Sequence, residues 1–417
     1  MISLAERTPL HLPEFHLFEN AGISYAVDAE APNWIAVDDR GAEILREIAA
    51  SPLTFGELVS RYASHHQLEA GKAWLHVHDF LAALNRASML FDAPVERPPY
   101  VGRAAYIEPK GLRELWLQIN NACNLSCTHC LVASGPNGIA GMPAENMIAT
   151  IDAAAALGIE RVYITGGEPF LRRDIFDLAK HITETHGCEL IVLTNATLFA
   201  GRVRELLQTL DRQNVKFQVS IDGARPETND PIRGAGTFHK ALDGARILSD
   251  LDFDVSLTTV TTEENLDDLP ELTAIAKRVG ARSQHLMWSH KRGRAAESDN
   301  GFFPEHVALL EAVMKTVDAA RSEGVLLDNI EAVKRRVNGV PGVKYDLGNA
   351  GWDSLCVYAD GTVYPSAALA NEQALLCGDV TRNAFAEIIE RSPIIARLRQ
   401  ATLARNAAVA SDPFRFL

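Results

Sequence analysis

The chain has no long apolar run and comparatively little positive charge. No window reaches the roughly 18 consecutive apolar residues of a membrane span, and the first residues lack the charged-then-apolar pattern of a secretory signal. Lys and Arg number 40 against 54 Asp and Glu, which gives a net charge of −14. Phosphate contacts need clustered cations, so this balance argues against a general nucleic-acid binder. We expect a soluble protein with no membrane or nucleic-acid partner.

Cysteine is also scarce, with six residues in 417. Six cysteines in a chain this long do not make a disulfide scaffold. Reduced thiols that are available to metals are typical of cytoplasmic proteins. We therefore predict a cytoplasmic location.

Three of these cysteines, Cys123, Cys127 and Cys130, form a C-x3-C-x2-C triplet just after a strand-like stretch. A loop this short can ligate three irons of a cubane cluster and leave the fourth iron open, whereas electron-transfer clusters usually have four Cys ligands. A zinc site and accidental clustering are the alternatives. Zinc prefers four ligands, and His129 is poorly placed as the fourth because it adjoins Cys130.

Residues 108–300 alternate strand and helix patterns, which predicts an α/β fold with a parallel sheet covered by helices. Six units rather than eight predict a partial (β/α)6 TIM-like barrel. Its functional edge is expected at the carboxyl ends of the strands. The predicted strands are Glu114–Asn120, Arg161–Thr165, Glu189–Thr194, Val215–Ile221, Val255–Val260 and Ser283–Trp288.

Smaller regions flank this barrel. Residues 1–98 show short strands followed by three helical patterns, which predicts a winged-helix-like α+β domain, and residues 99–107 form a linker. Residues 301–417 are predicted to be a helical linker plus a small C-terminal α+β extension. That extension includes a hairpin over Cys356–Pro365 with an Asp360-Gly361 turn.

The cysteine triplet resembles the signature of the radical S-adenosylmethionine (radical SAM) superfamily. A Gly-Gly-Glu-Pro run at the end of the second strand supports the resemblance. It implies a [4Fe-4S] cluster with one open iron, S-adenosylmethionine as cofactor, and an electron donor such as a flavodoxin or ferredoxin. It implies no dedicated acid or base for the first step, so the catalytic residues stay unassigned.

The resemblance also implies which residues contact S-adenosylmethionine. The Gly-Gly-Glu-Pro run contacts the amino group of the methionine moiety, and His129 lies near the adenine. Ala196 departs mildly from the family, which often has Gly there. The implied cofactor-binding residues are His129, Gly166, Gly167, Glu168, Pro169, Thr194, Asn195, Ser220, Asp222, Arg233, Val260 and Met287.

The N-terminal region resembles the PqqD-like peptide chaperone of pyrroloquinoline-quinone biosynthesis, also called the RiPP recognition element. The resemblance rests on Trp34–Leu45 and Thr54–Tyr62. It implies that the leader of a precursor peptide adds as a strand to an exposed sheet edge. The alternative is a structural winged helix that binds no peptide.

The C-terminal region resembles the SPASM/twitch extension, which holds auxiliary iron–sulfur clusters. Cys356 and Cys377 are the candidate auxiliary-cluster ligands, but Ser366 stands where relatives usually have Cys, and the later Cys-rich run is missing. Two thiolates do not fill a four-Cys set. Either the auxiliary cluster is absent, or it has unusual ligands, or further sequence belongs to the protein. Cys188 is expected to be a core thiol.

Together these patterns predict a radical SAM enzyme, oxidoreductase in type, that matures a ribosomally made peptide. The resemblance implies reductive cleavage of S-adenosylmethionine to a 5′-deoxyadenosyl radical that abstracts hydrogen from the peptide. One alternative is a radical SAM enzyme acting on a small molecule such as a tetrapyrrole or cofactor precursor. Another is a non-catalytic peptide-binding scaffold with a decayed barrel.

Overall fold

The computed structural model describes residues 2–297 and 302–417, so the predicted boundary at residue 300 lies outside the described residues. The chain divides into two compact units. The first contains the residues up to Ile107 together with Val333–Gly348 and Gln400–Leu417, and the second contains Glu108–Ala332 and Asn349–Arg399. The predicted C-terminal region, 301–417, is therefore shared between both units.

The strands, in chain order, are β1 (Pro9–Leu10), β2 (His16–Asn20), β3 (Ile23–Asp28), β4 (Asn33–Val37), β5 (Leu53–Thr54), β6 (Glu114–Gln118), β7 (Arg161–Thr165), β8 (Glu189–Thr194), β9 (Val215–Ser220), β10 (Asp254–Thr261), β11 (Ser283–Trp288), β12 (Leu326–Leu327), β13 (Ser354–Val357), β14 (Thr362–Tyr364) and β15 (Gly378–Asp379). The α-helices are α1 (Asp39–Ala50), α2 (Phe55–His65), α3 (Ala70–Arg86), α4 (Ala144–Ala155), α5 (Ile175–Lys180), α6 (Arg202–Leu207), α7 (Pro226–Arg233), α8 (Thr237–Asp250), α9 (Leu269–Arg278), α10 (His306–Glu323), α11 (Asp328–Val337), α12 (Phe385–Arg391) and α13 (Pro393–Gln400).

The first unit combines an antiparallel sheet in the order β2-β3-β4 with α1, α2 and α3. β1 and β5 form a separate antiparallel pair. Thr54 and Glu57 form a capping box, which satisfies backbone N–H groups at the start of α2. Leu45, Leu58 and Leu81, one from each helix, are fully buried in the core of this unit. The sequence predicted this order, short strands followed by three helices, for the N-terminal α+β domain.

The second unit is built on a ten-stranded sheet in the order β12-β11-β10-β9-β8-β7-β6-β13-β14-β15. The strands from β12 to β13 are parallel, and β13, β14 and β15 are antiparallel. The predicted α/β fold and partial parallel barrel are confirmed, with all six predicted strands present. β13 pairs with β6 in parallel, Cys356 opposite Trp116, so the C-terminal hairpin extends the barrel sheet itself.

Side chains alternate across the barrel strands. On β7, Val162 and Ile164 are fully buried in the hydrophobic core, whereas Tyr163 stacks on Trp116 of the neighbouring strand β6. Parallel pairing brings the carboxyl ends of β6 to β11 to one edge, which is where loops can form a site. Among the described residues, no helix is long and apolar enough to cross a membrane.

Candidate active site

A cavity of about 430 Å³ lies at the carboxyl ends of the barrel strands. The cysteine loop after β6 forms one wall, and the ends of β7, β8, β9, β10 and β11 form the others. Most of the residues predicted from sequence line it. These are Cys123, Cys127, His129, Cys130, Gly166, Gly167, Thr194, Asn195, Ser220, Arg233, Val260 and Met287.

Backbone hydrogen bonds hold the cysteine loop in place. Cys123 N donates to the Gly135 carbonyl at 2.9 Å. From the segment after β11, Arg294 donates its Nε to the Cys127 carbonyl at 2.8 Å and its backbone N–H to the Cys130 carbonyl at 3.1 Å. The loop is therefore held in place both by the segment that follows it, at Gly135, and by the segment after β11, at Arg294.

The sulfur atoms have the surroundings of metal-binding thiolates. The Leu125 N–H points at Cys123 Sγ at 3.4 Å, and the Ser134 N–H points at Cys130 Sγ at 3.2 Å. All three cysteines are free of disulfides. Burial raises the pKa of Cys123 to about 12 and also raises the pKa of Cys127. Ligation must therefore displace thiol protons, which a cationic iron core does.

The three sulfurs are not gathered as closely as the ligands of one zinc ion. Four ligands at about 2.3 Å around one zinc lie roughly 3.8 Å apart. In the described part of the chain, the three Sγ atoms are not among the ligand sets whose atoms all lie within 4.8 Å of one another. All three cysteines nevertheless line one common cavity.

The Gly-Gly pair packs directly on the cysteine loop. A Cβ on Gly167 would lie 2.0 Å from the Ala122 carbonyl oxygen, and one on Gly166 would lie 2.4 Å from the Asn120 carbonyl oxygen. Gly166 also has a φ of +153°, which L side chains rarely adopt. The resemblance implied only that these glycines contact S-adenosylmethionine. The structure shows that they allow close approach of the neighbouring loop.

Glu168 and Pro169 are not among the residues that line the cavity. The Glu168 carboxylate is buried and accepts hydrogen bonds from Phe170 N at 3.1 Å, Thr194 Oγ1 at 2.8 Å and Asn195 N at 2.9 Å. Burial raises its pKa to about 7. Glu168 therefore connects the end of β7 to the end of β8 beneath the cavity wall.

Asp222 also lies behind the cavity, where it holds two predicted site residues. Its fully buried carboxylate pairs with Arg233 Nε at 2.6 Å and His129 Nε2 at 2.5 Å, and it accepts a hydrogen bond from Val260 N at 2.8 Å. Burial alone would raise the pKa of Asp222, but Arg233 and His129 lower it well below its ordinary value. One carboxylate thus positions the ends of three segments around the cavity.

Sequence reasoning missed part of the cavity wall. On β6, Trp116 and Gln118 alternate with the core residues Leu115 and Leu117. Because side chains on a strand alternate between its two faces, the sequence could have placed Trp116 and Gln118 on the cavity face. Gln118 Oε1 and Arg294 Nη2 are buried with no hydrogen-bond partner among the described residues. The other missed residues have no such signal, because tertiary pairing brings them here. They include Trp288, His290, Asn349, Ser354, Ser366, Ala367 and Ala368.

The two orphaned atoms test whether the cavity fits a zwitterionic ligand. An unpartnered acceptor and an unpartnered guanidinium donor are costly to bury. A ligand with both an ammonium and a carboxylate group supplies the missing partners. The cavity therefore fits an amino-acid-bearing cofactor such as S-adenosylmethionine.

The candidate auxiliary ligands lie on either side of β14 but belong to different side-chain clusters. Cys356 is fully buried in a small cluster with Tyr358, Tyr364 and Ala370, whereas Cys377 belongs to the main barrel core. Burial raises the pKa of Cys377 to about 11 and raises that of Cys356 further. Two buried thiols do not fill a four-Cys set, and Cys188 is likewise a core thiol.

Sequence comparison relates the barrel to known proteins. Residues 117–275 match the Radical SAM superfamily. An AdoMet-dependent heme synthase of Methanosarcina barkeri is 27% identical over 297 residues, which cover 68% of this chain and 83% of that protein. The mycofactocin maturase MftC of Mycolicibacterium smegmatis is 34% identical over 165 residues, which cover 39% of this chain and only 41% of that protein.

Structural comparison supports the fold. The crystal structure of Streptococcus suis SuiB bound to precursor peptide SuiA matches with a TM-score of 0.60. The match covers 100% of this chain and 94% of SuiB, at 13% sequence identity. Residues 117–275 are therefore a radical SAM domain, whose cofactors are a [4Fe-4S] cluster and S-adenosylmethionine, and the chain is an enzyme.

Proposed function

We propose that this enzyme modifies a ribosomally synthesised peptide by radical chemistry. The observation that carries the proposal is the combination, in one chain, of a cysteine-lined barrel cavity and a small sheet with open edges. The relatives include a protein named as a maturase, and a structural neighbour was crystallised with its precursor peptide.

In this proposal Cys123, Cys127 and Cys130 hold the cluster. Their free thiols and their N–H···S contacts support that role. When bound, the cluster and S-adenosylmethionine would supply the reductive radical chemistry that removes a hydrogen from the substrate. The chain itself binds, orients and shields these groups.

The strand ends would orient S-adenosylmethionine. The backbone at Gly166 and Gly167 would contact its amino group, while Arg233 and Arg294, which line the same cavity, would provide positive charge for its carboxylate. Ser220 would contact the ribose, and Val260, Met287 and His129 would contact the adenine. Thr194 and Asn195 complete the wall, and Asn195 Nδ2 also lies 3.9 Å from Cys123 Sγ.

The first unit offers a place for the leader of the precursor peptide. β2 and β4 are the two edges of its antiparallel sheet. Among the described residues, no hydrogen bond is made by the outer backbone groups of either strand. Unpaired N–H and C=O groups on an edge accept an added strand. We propose that the leader pairs with one of these edges, as in a PqqD-like domain.

The second candidate function is modification of a tetrapyrrole. It is favoured by the heme synthase relative, of which this chain covers 83%. An extended peptide needs to insert only one side chain into the cavity, and the structural neighbour that spans this whole chain was crystallised with its precursor peptide. For these reasons we favour the peptide.

The proposal is tested with the anaerobically reconstituted enzyme, dithionite or a flavodoxin system, and S-adenosylmethionine. The substrates compared are a short peptide encoded beside the gene and an iron-free porphyrin. We expect the peptide to increase 5′-deoxyadenosine formation and to change mass. The Cys127→Ala variant is the control and should form no 5′-deoxyadenosine above background.

Hydrogen exchange then locates the leader. We expect the peptide to slow amide exchange in residues 16–20 or 33–37 of the intact enzyme. Protection at neither edge would refute strand addition. Turnover of the porphyrin but not the peptide would favour the second function, and no 5′-deoxyadenosine above the Cys127→Ala level would indicate a non-catalytic scaffold.

A further inference from the structure

A cluster of metal-ligating side chains lies outside the active site, on the outer helices of the barrel. Asp152 is on α4, and His181 and His186 are at the two ends of the segment that continues α5. His181 Nε2 lies 2.6 Å and His186 Nε2 lies 2.7 Å from the same oxygen, Asp152 Oδ1. Two imidazoles and one carboxylate therefore converge on a single point.

The backbone has an unusual conformation that creates this convergence. Residues His181–Thr185 form a π-helical turn, and Gly187, with a φ of +65°, follows it. In an α-helix, residues five apart point about 140° away from each other. A π-helical turn instead brings residues i and i+5 together, so the rings of His181 and His186 lie 4.9 Å apart. Such turns are often found at functional sites.

We propose that Asp152, His181 and His186 form a binding site for a divalent transition-metal ion, with Zn²⁺ as the preferred occupant. The three ligand atoms all lie within 4.8 Å of one another. Four-coordinate zinc at about 2.1 Å from nitrogen and oxygen spaces its ligands roughly 3.4 Å apart. The Asp152 oxygen, now at hydrogen-bond distance from both imidazoles, therefore has to move outward for the ion to fit between the three ligand atoms.

The surroundings allow an ion to reach the site. The Asp152 side chain is 49% exposed and each imidazole is 21% exposed, which leaves room for water as the fourth ligand. As metal ligands, two imidazoles and one carboxylate together carry one negative charge, which attracts a divalent cation. Zinc would replace the two imidazole–carboxylate hydrogen bonds with three metal bonds.

Because of where the site lies, a bound ion would link two neighbouring parts of the barrel. α4 follows the cysteine loop, and α5 follows the Gly-Gly-Glu-Pro turn. An ion bound to both helices would cross-link the elements that support the two cofactor-binding loops. Because it binds only the folded chain, it would raise the melting temperature.

A second cluster with a similar composition serves as a matched control. Glu43, His65 and His66, in the first unit, also lie within 4.8 Å of one another. Arg46, Arg61 and Glu47 line the same surface depression, and Arg61 pairs with Glu47 at 3.7 Å, so these three flanking residues carry a net positive charge that opposes a bound cation. We therefore expect this cluster to bind zinc much more weakly.

The experiment uses the anaerobically reconstituted holoenzyme, in which the cluster occupies the cysteine loop. After incubation with Zn²⁺ and gel filtration, zinc and iron are counted per chain. We expect about one zinc in the wild type, loss of that zinc in His181→Gln/His186→Gln, and retention in His65→Gln/His66→Gln. Unchanged iron in each variant shows that the barrel has folded.

A single substitution covers the case in which the double variant does not fold. Asp152→Asn keeps the shape of a half-exposed side chain and should weaken zinc binding at least tenfold by calorimetry. Zinc should raise the melting temperature of the wild type and not of this variant. Equal zinc content in wild type and His181→Gln/His186→Gln, or zinc lost only from His65→Gln/His66→Gln, would overturn the proposal. Neither result depends on the substrate of the radical reaction.

Discussion

At the scale of single residues, two buried carboxylates support the site without lining it. Asp222 pairs with the Arg233 guanidinium and the His129 imidazole and accepts from a backbone N–H, so its pKa is lowered and it stays ionised. Glu168 has only neutral hydrogen-bond donors, and burial raises its pKa. The same chemical group thus has opposite titration behaviour because its charged neighbours differ.

The Asp222→Asn substitution should strongly destabilise the protein. It leaves the buried guanidinium of Arg233 without its anion, and loss of one member of a buried pair costs about 3–5 kcal/mol. The measurement is the free energy of unfolding in urea. Glu160→Gln, which breaks the exposed ion pair with Arg113, is the control and should change stability little. Equal effects of both substitutions would contradict the assigned role.

Glu168 should make stability fall as pH rises. Its folded pKa of about 7 exceeds its ordinary value of 4.5, so between these values the folded state binds more protons than the unfolded state. The free energy of unfolding should therefore decrease by about 3 kcal/mol across that window. Urea unfolding of cluster-free protein near pH 5 and near pH 8 measures this decrease. In the Glu168→Gln variant, the contribution of Glu168 to this decrease should disappear. The same decrease of the unfolding free energy in the variant and the wild type would refute the explanation.

At the scale of elements, the site depends on loops that pack against one another at backbone distance. The Gly-Gly turn after β7 contacts the cysteine loop after β6, and Gly293 after β11 contacts the same loop near the Cys130 carbonyl. Each contact leaves no space for a Cβ. The cysteine loop is therefore shaped as much by its neighbours as by its own sequence.

Gly167→Ala should disrupt that packing. The added Cβ would lie 2.0 Å from the Ala122 carbonyl, so one loop must move away from the other. We expect iron retention and 5′-deoxyadenosine formation to fall at least roughly tenfold, since ligand positions must hold to fractions of an ångström. Gly71→Ala, in α3 with no atom within 4 Å of its Cβ, is the control and should behave like wild type. Full iron content in Gly167→Ala would contradict this account.

At the scale of the whole molecule, the cysteines divide into two groups. Cys123, Cys127 and Cys130 face a cavity, whereas Cys188, Cys356 and Cys377 lie in apolar clusters. Ser366, which follows β14, lines the cavity as well. The C-terminal hairpin region thus forms part of the cavity wall.

The reconstituted protein should contain about four irons per chain. The three cysteines of the loop line the cavity, whereas Cys356 and Cys377 are buried thiols that do not fill a four-Cys set. Anaerobic iron and sulfide analysis measures this, with Cys127→Ala expected to lose the iron and Cys356→Ala and Cys377→Ala expected to keep it. About eight irons per chain, with loss of half in Cys356→Ala, would show that a second cluster exists.

The sequence by itself determined the barrel strands and the cysteine loop. Apolar periodicity is local, and the triplet lies within eight residues, so both can be identified without knowing the fold. Only the tertiary structure decided that Glu168 and Asp222 support the cavity from behind, and that the Gly-Gly pair serves loop packing. It also decided that Asn349 and Ser366 join the wall and that Cys356 and Cys377 belong to different side-chain clusters. These features depend on the pairing of β13 with β6 and on contacts between loops far apart in sequence, which no local pattern encodes.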